Sequence, residues 1–231
     1  MHLDLSMSDP RVERRVVYEI DVPLPLGVTL EEMDMLDPSY GVAIVGISPE
    51  GNTARSNANV FSNIKSLYKD AVRDKCICIR DKIISINGDP CHDKSFDYVV
   101  GLILDLMSNV DTSTIKLEIG RIEGSTVVNY DNGLCISAKP GENYGFLARN
   151  CNVDIDYQCR SGYCQTCMKV LEFPNKQNEE ETSDDNRGSA TIINRRTIFH
   201  CIGKVPRGYE WLHVLTGNNE AKGHEGMGTE Q

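Results

Sequence analysis

Apolar and polar residues alternate with a period of two in four segments of the first half of the chain. These segments are 15–26, where Pro23 and Pro25 interrupt the pattern, 40–47, 76–86 and 114–122. The alternation predicts four β-strands, and Asn87-Gly88 predicts a tight turn after the third. Between 96 and 107, apolar residues recur at helical spacing behind Ser95, which suits an N-cap. The pattern predicts one small α+β domain over residues 12–123.

The alternation restarts after Gly124 and predicts a second domain over residues 125–216. Two short strands flank Asp131-Asn132-Gly133, which is a hairpin signal, and a short helix is expected at 144–150. Further strands are expected at 191–193 and 197–202. Residues 175–190 are acidic and lack large apolar side chains, and residues 217–231 are polar and Gly-rich. We expect a flexible surface insertion and a disordered tail there.

Composition limits the classes of function. The 231 residues are 40% apolar and 25% charged, and no apolar run approaches the roughly 20 residues that span a bilayer. We expect a soluble protein without a membrane span. The net charge of -10 argues against nucleic-acid binding and favours basic proteins or cations as partners. The first residues resemble neither a secretory signal nor a transit peptide, so a cytosolic chain and a processed mature chain are both open.

Four of the nine cysteines have metal-type spacing. Cys159, Cys164 and Cys167 form C-x4-C-x2-C, and Cys201 follows after 33 intervening residues. This is the spacing of plant-type 2Fe-2S proteins, in which backbone N–H groups of the first loop point at the sulfurs. A four-cysteine zinc site is the alternative, but it normally needs two C-x2-C pairs and this chain has one. Disulfides are disfavoured because a reducing compartment is the simpler interpretation of an odd cysteine count.

The loop between these cysteines also has suitable residues for hydrogen bonds to sulfur. Gly162 permits a close approach of the backbone, and the hydroxyls of Ser161 and Thr166 are candidate donors. The remaining cysteines are predicted to be small apolar or surface residues without a redox role, and they are Cys76, Cys78, Cys91, Cys135 and Cys151.

Residues from about 126 to 215 resemble a plant-type 2Fe-2S ferredoxin. The resemblance rests on the hairpin, the short helix, the Asp154–Tyr157 approach and the C-R-x-G-x-C-x-x-C loop. It implies a β-grasp fold and a low-potential carrier of single electrons, with a 2Fe-2S cluster on Cys159, Cys164, Cys167 and Cys201. Three features depart from the family: Tyr163 replaces a small residue, the acidic insertion lengthens the run to Cys201, and IGKVPRGYEWLHVL follows the last cysteine in place of an acid-rich ending.

The first half resembles a PDZ domain. The stretches YGVAIVGISPEGNTARSN, IRDKIISINGDPCHDKSFDYVVGLI and TIKLEIGR are similar to that family's strands, turn and binding helix. The resemblance implies a partly open β-barrel with helices, in which a peptide adds to a sheet edge. The turn Pro25-Leu26-Gly27-Val28 would hold its carboxylate, and Phe96 and Val100 would line the side-chain pocket. A rigid adaptor with an occluded groove is the alternative.

These observations together predict an electron carrier and not an enzyme. No Ser-His-Asp set and no G-x-G-x-x-G site is visible. We expect the PDZ-like half to position the 2Fe-2S half on a redox protein or photosynthetic membrane complex, through a protein C-terminus or an internal peptide. The resemblance to photosynthetic ferredoxins implies the plastid stroma or the stromal face of the thylakoid, with a transit peptide removed. A structural subunit whose cluster never turns over is the alternative.

Overall fold

The computed structural model describes residues 13–33, 40–64, 71–175 and 193–216. The predicted acidic insertion at 175–190, of which only Asn175 is described, and the predicted tail at 217–231 fall outside these ranges. Among the described helices, none combines the length and apolar composition needed to cross a bilayer.

The described part of the N-terminal half contains one six-stranded antiparallel sheet and three helices. In chain order the elements are β1 (Arg15–Pro23), β2 (Val28–Glu32), β3 (Val42–Ile47), α1 (Asn52–Ser62), α2 (Ala71–Lys75), β4 (Lys82–Ile86), β5 (Asp89–Pro90), α3 (Phe96–Ser108) and β6 (Thr114–Ile122). The strand order is β1-β6-β4-β3-β2, with β5 on β4, and the sheet does not close into a barrel. The α+β prediction is confirmed, whereas β2 was not predicted.

Helix α3 begins where the sequence predicts. The Ser95 hydroxyl accepts a hydrogen bond from the Tyr98 N–H at 3.4 Å, which satisfies one of the free donors of the first turn. Val99 and Ile103 are buried against the sheet, while Val100 is half-buried. The helix therefore presents one apolar face to the core and carries a second, partly exposed face beside it.

The single strand predicted for residues 76–86 is wrong, because the backbone turns at Arg80. That residue has a φ of 79°, and β4 starts only after it. Asp81 is fully buried at the turn and accepts hydrogen bonds from the Arg121 guanidinium at 2.7 and 2.9 Å. Ahead of the turn, Ile79 forms a parallel bridge with Ile136 of the C-terminal half. Before Arg80 the segment therefore contacts the C-terminal sheet, and after Arg80 it forms a strand of the N-terminal sheet.

The C-terminal half contains a five-stranded mixed sheet and one helix. Its described elements are β7 (Thr126–Tyr130), β8 (Cys135–Ala138), α4 (Tyr144–Asn150), β9 (Met168–Pro174), β10 (Ile193–Phe199) and β11 (Trp211–Leu215). The strand order is β10-β9-β11-β7-β8, and only the β11–β7 pairing is parallel among the described strands. The predicted hairpin and short helix are confirmed. The strand expected at 197–202 ends at Phe199, and β9 was not predicted.

The β7–β8 turn packs directly on α1. The Asn57 side-chain amide donates to the carbonyls of Ile77 at 2.8 Å and Gly133 at 3.0 Å. Gly133 has a φ of 75°, and a Cβ atom there would lie 2.0 Å from the Ala54 carbonyl oxygen. Only glycine permits this approach, so the hairpin turn predicted by the sequence also fixes the contact between the halves.

Two further contacts cross this interface, which we call the junction and define by Asn57, Phe61, Arg80, Glu142 and Trp211. The Arg80 guanidinium donates to both Glu142 carboxylate oxygens at 2.9 and 3.0 Å. The ring of Phe61 meets the fully buried ring of Trp211 edge-on, with 6.0 Å between centroids. The junction therefore combines apolar burial with the hydrogen bonds of Asn57 and the ion pair of Arg80 and Glu142, which favours a fixed arrangement of the two halves.

Candidate metal centre and peptide groove

The loop from Cys159 to Cys167 curls its backbone around two of its own sulfurs. Arg160, Gly162 and Gln165 all have positive φ values, of 55°, 78° and 64°. As a result the Cys164 N–H donates to Cys159 Sγ at 3.2 Å, and the Cys159 N–H donates to Cys164 Sγ at 3.4 Å. The structure therefore holds Cys159 and Cys164 as one sulfur pair.

Two residues of the loop add further donors to this pair. The Ser161 N–H lies 3.4 Å from Cys159 Sγ, and the Thr166 hydroxyl lies 3.3 Å from Cys164 Sγ. Hydrogen bonds from the Ser161 side chain and from the N–H groups of Cys164 and Ser161 lower the pKa of the Cys159 thiol to about 6. The thiolate, which is the form that binds metal, is thus favoured near neutral pH.

Cys167 and Cys201 form a second sulfur pair. Strands β9 and β10 lie at the two ends of the 33-residue interval and pair with each other, with Met168 opposite Phe199. This register brings Cys167 Sγ to 3.1 Å from Cys201 Sγ. Burial raises the pKa of Cys201, and the neighbouring Cys167 adds to that shift, while the Gly162 backbone amide opposes it. The side chain of Ile202, next to Cys201, lies against Gly162 and links the second pair to the loop of the first.

Two pairs of sulfurs suit a binuclear cluster, in which each iron takes two protein thiolates. A single tetrahedral metal would instead need its ligands to converge on one point. Within the described ranges, no group of three or more His, Cys, Asp or Glu side chains is arranged to hold one metal ion. The donor chemistry and the pairing together fit a 2Fe-2S cluster.

The predicted peptide groove lies between an open sheet edge and a helix. Among the described strands, β2 pairs with β3 alone, and α3 packs beside it. Val28 begins β2, and Phe96 and Val100 lie in the first turns of α3, all three half-buried. An extended peptide needs a free strand edge with apolar side chains beside it, and this arrangement offers both.

The turn before β2 presents two free amides. The carbonyls of Leu26 and Gly27 accept hydrogen bonds from the N–H groups of Thr53 and Ser48, at 3.0 and 2.8 Å. The N–H groups of Leu26 and Gly27 donate to no acceptor within the described part of the chain. The side chain of Leu26 is buried in the core, so this residue offers its backbone to a ligand. Two neighbouring free amides suit a carboxylate.

A comparison with protein families identifies the C-terminal half. Residues 129–194 match the model of the 2Fe-2S iron-sulfur cluster binding domain. This chain carries a 2Fe-2S cluster binding domain. The matched range includes Cys159, Cys164 and Cys167, and Cys201 lies seven residues beyond its end. A search of curated proteins finds no match to this chain.

Solved structures are similar to the N-terminal part. One is the second PDZ domain of Dlg1 from the choanoflagellate Monosiga brevicollis, with 16% identity, a TM-score of 0.32, and coverage of 45% of this chain and 90% of that one. Another is the N-terminal PDZ domain of InaD in complex with a NorpA C-terminal peptide. Its identity is 18% and its TM-score 0.30, and it covers 46% of this chain and 97% of that one.

One part of the 2Fe-2S domain was missed by sequence reasoning. A cleft of about 400 Å³ lies beside Cys201 and is lined by the side chains of Arg149, Asp154 and Arg160. Arg149 and Arg160 are eleven positions apart, on α4 and on the cluster loop. Their proximity arises from tertiary packing, and the C-x4-C-x2-C spacing gives no signal for it.

His200 is buried between the second sulfur pair and the core of the 2Fe-2S domain. Its ring lies 5.8 Å from that of Tyr144 and 6.4 Å from that of Tyr130. Burial lowers the pKa of His200 to about 4, and neither ring nitrogen has a hydrogen-bond partner among the described residues. The residue is therefore a neutral packing element at neutral pH.

Proposed function

We propose that this protein carries single electrons through a 2Fe-2S cluster held by Cys159, Cys164, Cys167 and Cys201. The observation that carries the proposal is the arrangement of the four sulfurs in two pairs. The bound cluster would supply one-electron exchange at a potential of about -400 mV. In this proposal the protein is a carrier or redox subunit and performs no enzymatic step.

The surroundings of the sulfurs support this role. The N–H groups of Ser161 and Cys164, together with the Thr166 hydroxyl, donate to sulfur, and such donors stabilise the negative charge that a reduced cluster gains. Cys159 is exposed, whereas Cys167 is buried. One edge of the site thus reaches the surface, where a partner has access to it, and the other is anchored in the sheet.

An anaerobic redox titration followed by electron paramagnetic resonance tests the proposal. We expect a reversible rhombic signal that accounts for one electron per chain, with the cluster then reoxidised by a protein acceptor. A reversible signal without transfer to any acceptor would support the structural subunit whose cluster never turns over. A chain that binds zinc and no iron would refute both.

We also propose that the N-terminal half positions the cluster by binding an extended peptide that ends in a carboxylate. The open edge of β2 and the free amides of Leu26 and Gly27 support this proposal. Phe96 and Val100 would contact an apolar side chain of the peptide. A tether of this kind raises the effective concentration of a carrier at its partner to roughly millimolar.

The destination we propose is a photosynthetic redox complex, in the plastid stroma or on the stromal face of the thylakoid. The sequence resemblance to plant-type ferredoxins supports it. Fractionation of plastids tests it directly, because we expect the protein in stroma or on washed thylakoids. Recovery in the cytosolic fraction alone would contradict the proposal.

Peptide arrays with free carboxyl ends, incubated with the full chain, test the groove. We expect binding that is lost when the same peptides are amidated, because the two amides then lack their charged acceptor. Val100→Asp should weaken binding by about tenfold or more, whereas Tyr98→Asp, on the opposite face of α3, should not. Equal effects of both variants, or binding that ignores amidation, would contradict the proposed groove. Failure of every peptide to bind would leave only the occluded-adaptor interpretation.

A further inference from the structure

Two large apolar side chains stand exposed directly beside predicted cluster ligands. Tyr163 precedes Cys164 and is 90% exposed, and Ile202 follows Cys201 and is 52% exposed. Exposed apolar side chains of this size are common singly, but two at one edge of a redox site form a contact surface. Their position matters because an electron acceptor has to approach this edge closely.

Tyr163 and Ile202 belong to one patch. A Cβ atom on Gly162 would lie 2.6 Å from Ile202 Cδ1, so the isoleucine side chain rests on the loop at the residue next to Tyr163. The contact between Ile202 and Gly162 therefore holds the isoleucine against the cluster loop, next to Tyr163.

The neighbouring cleft gives this edge a positive character. Arg149 and Arg160 are exposed residues that line it together with Asp154 and Cys201. Neither guanidinium forms an ion pair with any described residue. Two arginines against one aspartate leave an excess of positive charge beside Cys201, and guanidinium groups are well suited to bind carboxylates.

This positive edge contrasts with the chain as a whole. The net charge of the protein is -10, yet the cluster-bearing segments 149–169 and 201–207 carry five basic and two acidic residues. If the net charge of the whole chain governed docking, the partner would be basic. If the charge of the surface beside the cluster governed it, the partner would be acidic. Short-range contacts set orientation at an interface, so the local surface decides which groups face the cluster.

We propose that the surface formed by Arg149, Arg160, Tyr163 and Ile202, here called the cluster-edge face, docks an acidic redox protein that has an apolar patch within its contact area. This inference rests on the proposed electron-transfer function and names the class of its partner. One electron would pass from the reduced cluster to the oxidised centre of the acceptor, whose oxidation state falls by one. No proton or atom would be transferred. Carboxylates of the partner pair with the two arginines, and its apolar patch covers Tyr163 and Ile202.

Stopped-flow mixing tests the proposal with two haem proteins of opposite charge as acceptors. The full chain is reduced with dithionite, freed of excess reductant and mixed with the acidic cytochrome b5 or the basic cytochrome c, each of which accepts one electron at its haem. The variants are Arg149→Glu and Tyr163→Ser. Lys94→Glu is the matched control, because it makes the same change in net charge on the N-terminal half.

We expect the rate with cytochrome b5 to fall as salt is added and to fall by about tenfold in Arg149→Glu, with less than a twofold change in Lys94→Glu. Tyr163→Ser should lower the same rate by about threefold or more while the absorption and resonance spectra of the cluster stay unchanged. With cytochrome c, Arg149→Glu should raise the rate.

Equal effects of Arg149→Glu and Lys94→Glu would overturn the inference, because only the net charge would then matter. An unchanged rate in Tyr163→Ser would overturn its apolar part. The absorption spectrum of the cluster is recorded first in every variant. Rates are then compared only among variants whose cluster spectrum is normal. A wild-type chain without a reducible cluster would overturn the proposed function itself, and the inference with it.

Discussion

The cysteines of the cluster loop and those near the junction show how one residue type acquires two roles. At the cluster, Cys159 is exposed, and hydrogen bonds from Ser161 and Cys164 lower its pKa to about 6. Close to the junction, Cys78 and Cys135 are completely buried, and burial raises the pKa of both thiols. The count of cysteines therefore says little about metal binding, whereas backbone donors and exposure separate ligands from core residues.

The largest expected effect is loss of the cluster from a single substitution in the loop. Cys164→Ala removes one of four thiolates, so we expect a colourless chain with less than one iron per molecule. Cys78→Ala makes the same chemical change in the buried region and should retain the full visible spectrum. A coloured Cys164→Ala variant, or a colourless Cys78→Ala variant, would break the comparison.

The second effect is a loss of stability and concerns the buried ion pair of Arg121 and Asp81. Arg121 and Asp81 are 1% and 0% exposed, and their side chains are 2.7 Å apart. Arg121→Ala leaves a buried carboxylate unpaired and should lower the free energy of unfolding by about 3–5 kcal/mol in urea titrations. The matched change Arg195→Ala removes an arginine that is 66% exposed beside Glu172, and should cost less than about 1 kcal/mol. Similar losses in both variants would contradict the account.

A smaller effect depends on pH and involves His213, whose ring lies 5.3 Å from that of Phe61 at the junction. Burial opposes its charged form, but the ion pair with Asp131 at 3.2 Å and the hydrogen bond with Glu172 outweigh burial and raise its pKa above 6.5. Because the folded state holds the proton more tightly, this stabilisation is complete below about pH 6.5 and is lost as pH rises through the raised pKa.

The variant His213→Asn tests this dependence. Its free energy of unfolding should fall below that of the wild type by about 1–3 kcal/mol at pH 6, and the difference should shrink as pH is raised. The same hydrogen bond to His213 lowers the pKa of Glu172, so Glu172 loses its contribution only at pH values below its ordinary 4.5. A difference that grows with pH would have the wrong sign for this arrangement.

The smallest effect is a shift of reduction potential. Thr166→Val removes the hydroxyl 3.3 Å from Cys164 Sγ and keeps the shape of the side chain. A hydrogen bond of about 0.5–1.5 kcal/mol to the reduced site corresponds to about 20–60 mV for one electron, so the potential should become more negative by that amount. Thr197→Val on β10 is the control and should not shift it.

Short-range sequence patterns predicted much of the fold. The hairpin at Gly133, the Ser95 cap and the helix after it depend on residues close in sequence, and all are present. The strand β2 was missed because its five residues follow Pro25 and Gly27, which mask a short alternation. The segment before β4 was assigned to one strand because its apolar alternation does not reveal that Arg80 turns the chain toward a second sheet.

Short-range sequence patterns likewise predicted only part of the two candidate sites. The spacing of Cys159, Cys164 and Cys167 carries information because all three lie on one loop, and the family match covers them. The approach of Cys201 depends on the β9–β10 register, and the cleft of Arg149 and Arg160 depends on packing of α4 against the loop. Neither the approach of Cys201 to Cys167 nor the proximity of Arg149 and Arg160 is encoded in a local sequence pattern. The cluster-edge face could therefore be identified only from the structure.

We propose that the four cysteines, in two pairs, hold one binuclear cluster. Iron, acid-labile sulfide and zinc are determined in the anaerobically purified full chain. We expect two iron atoms and two sulfides per chain, because each sulfur pair serves one iron. One zinc per chain, with neither iron nor sulfide, would refute the cluster.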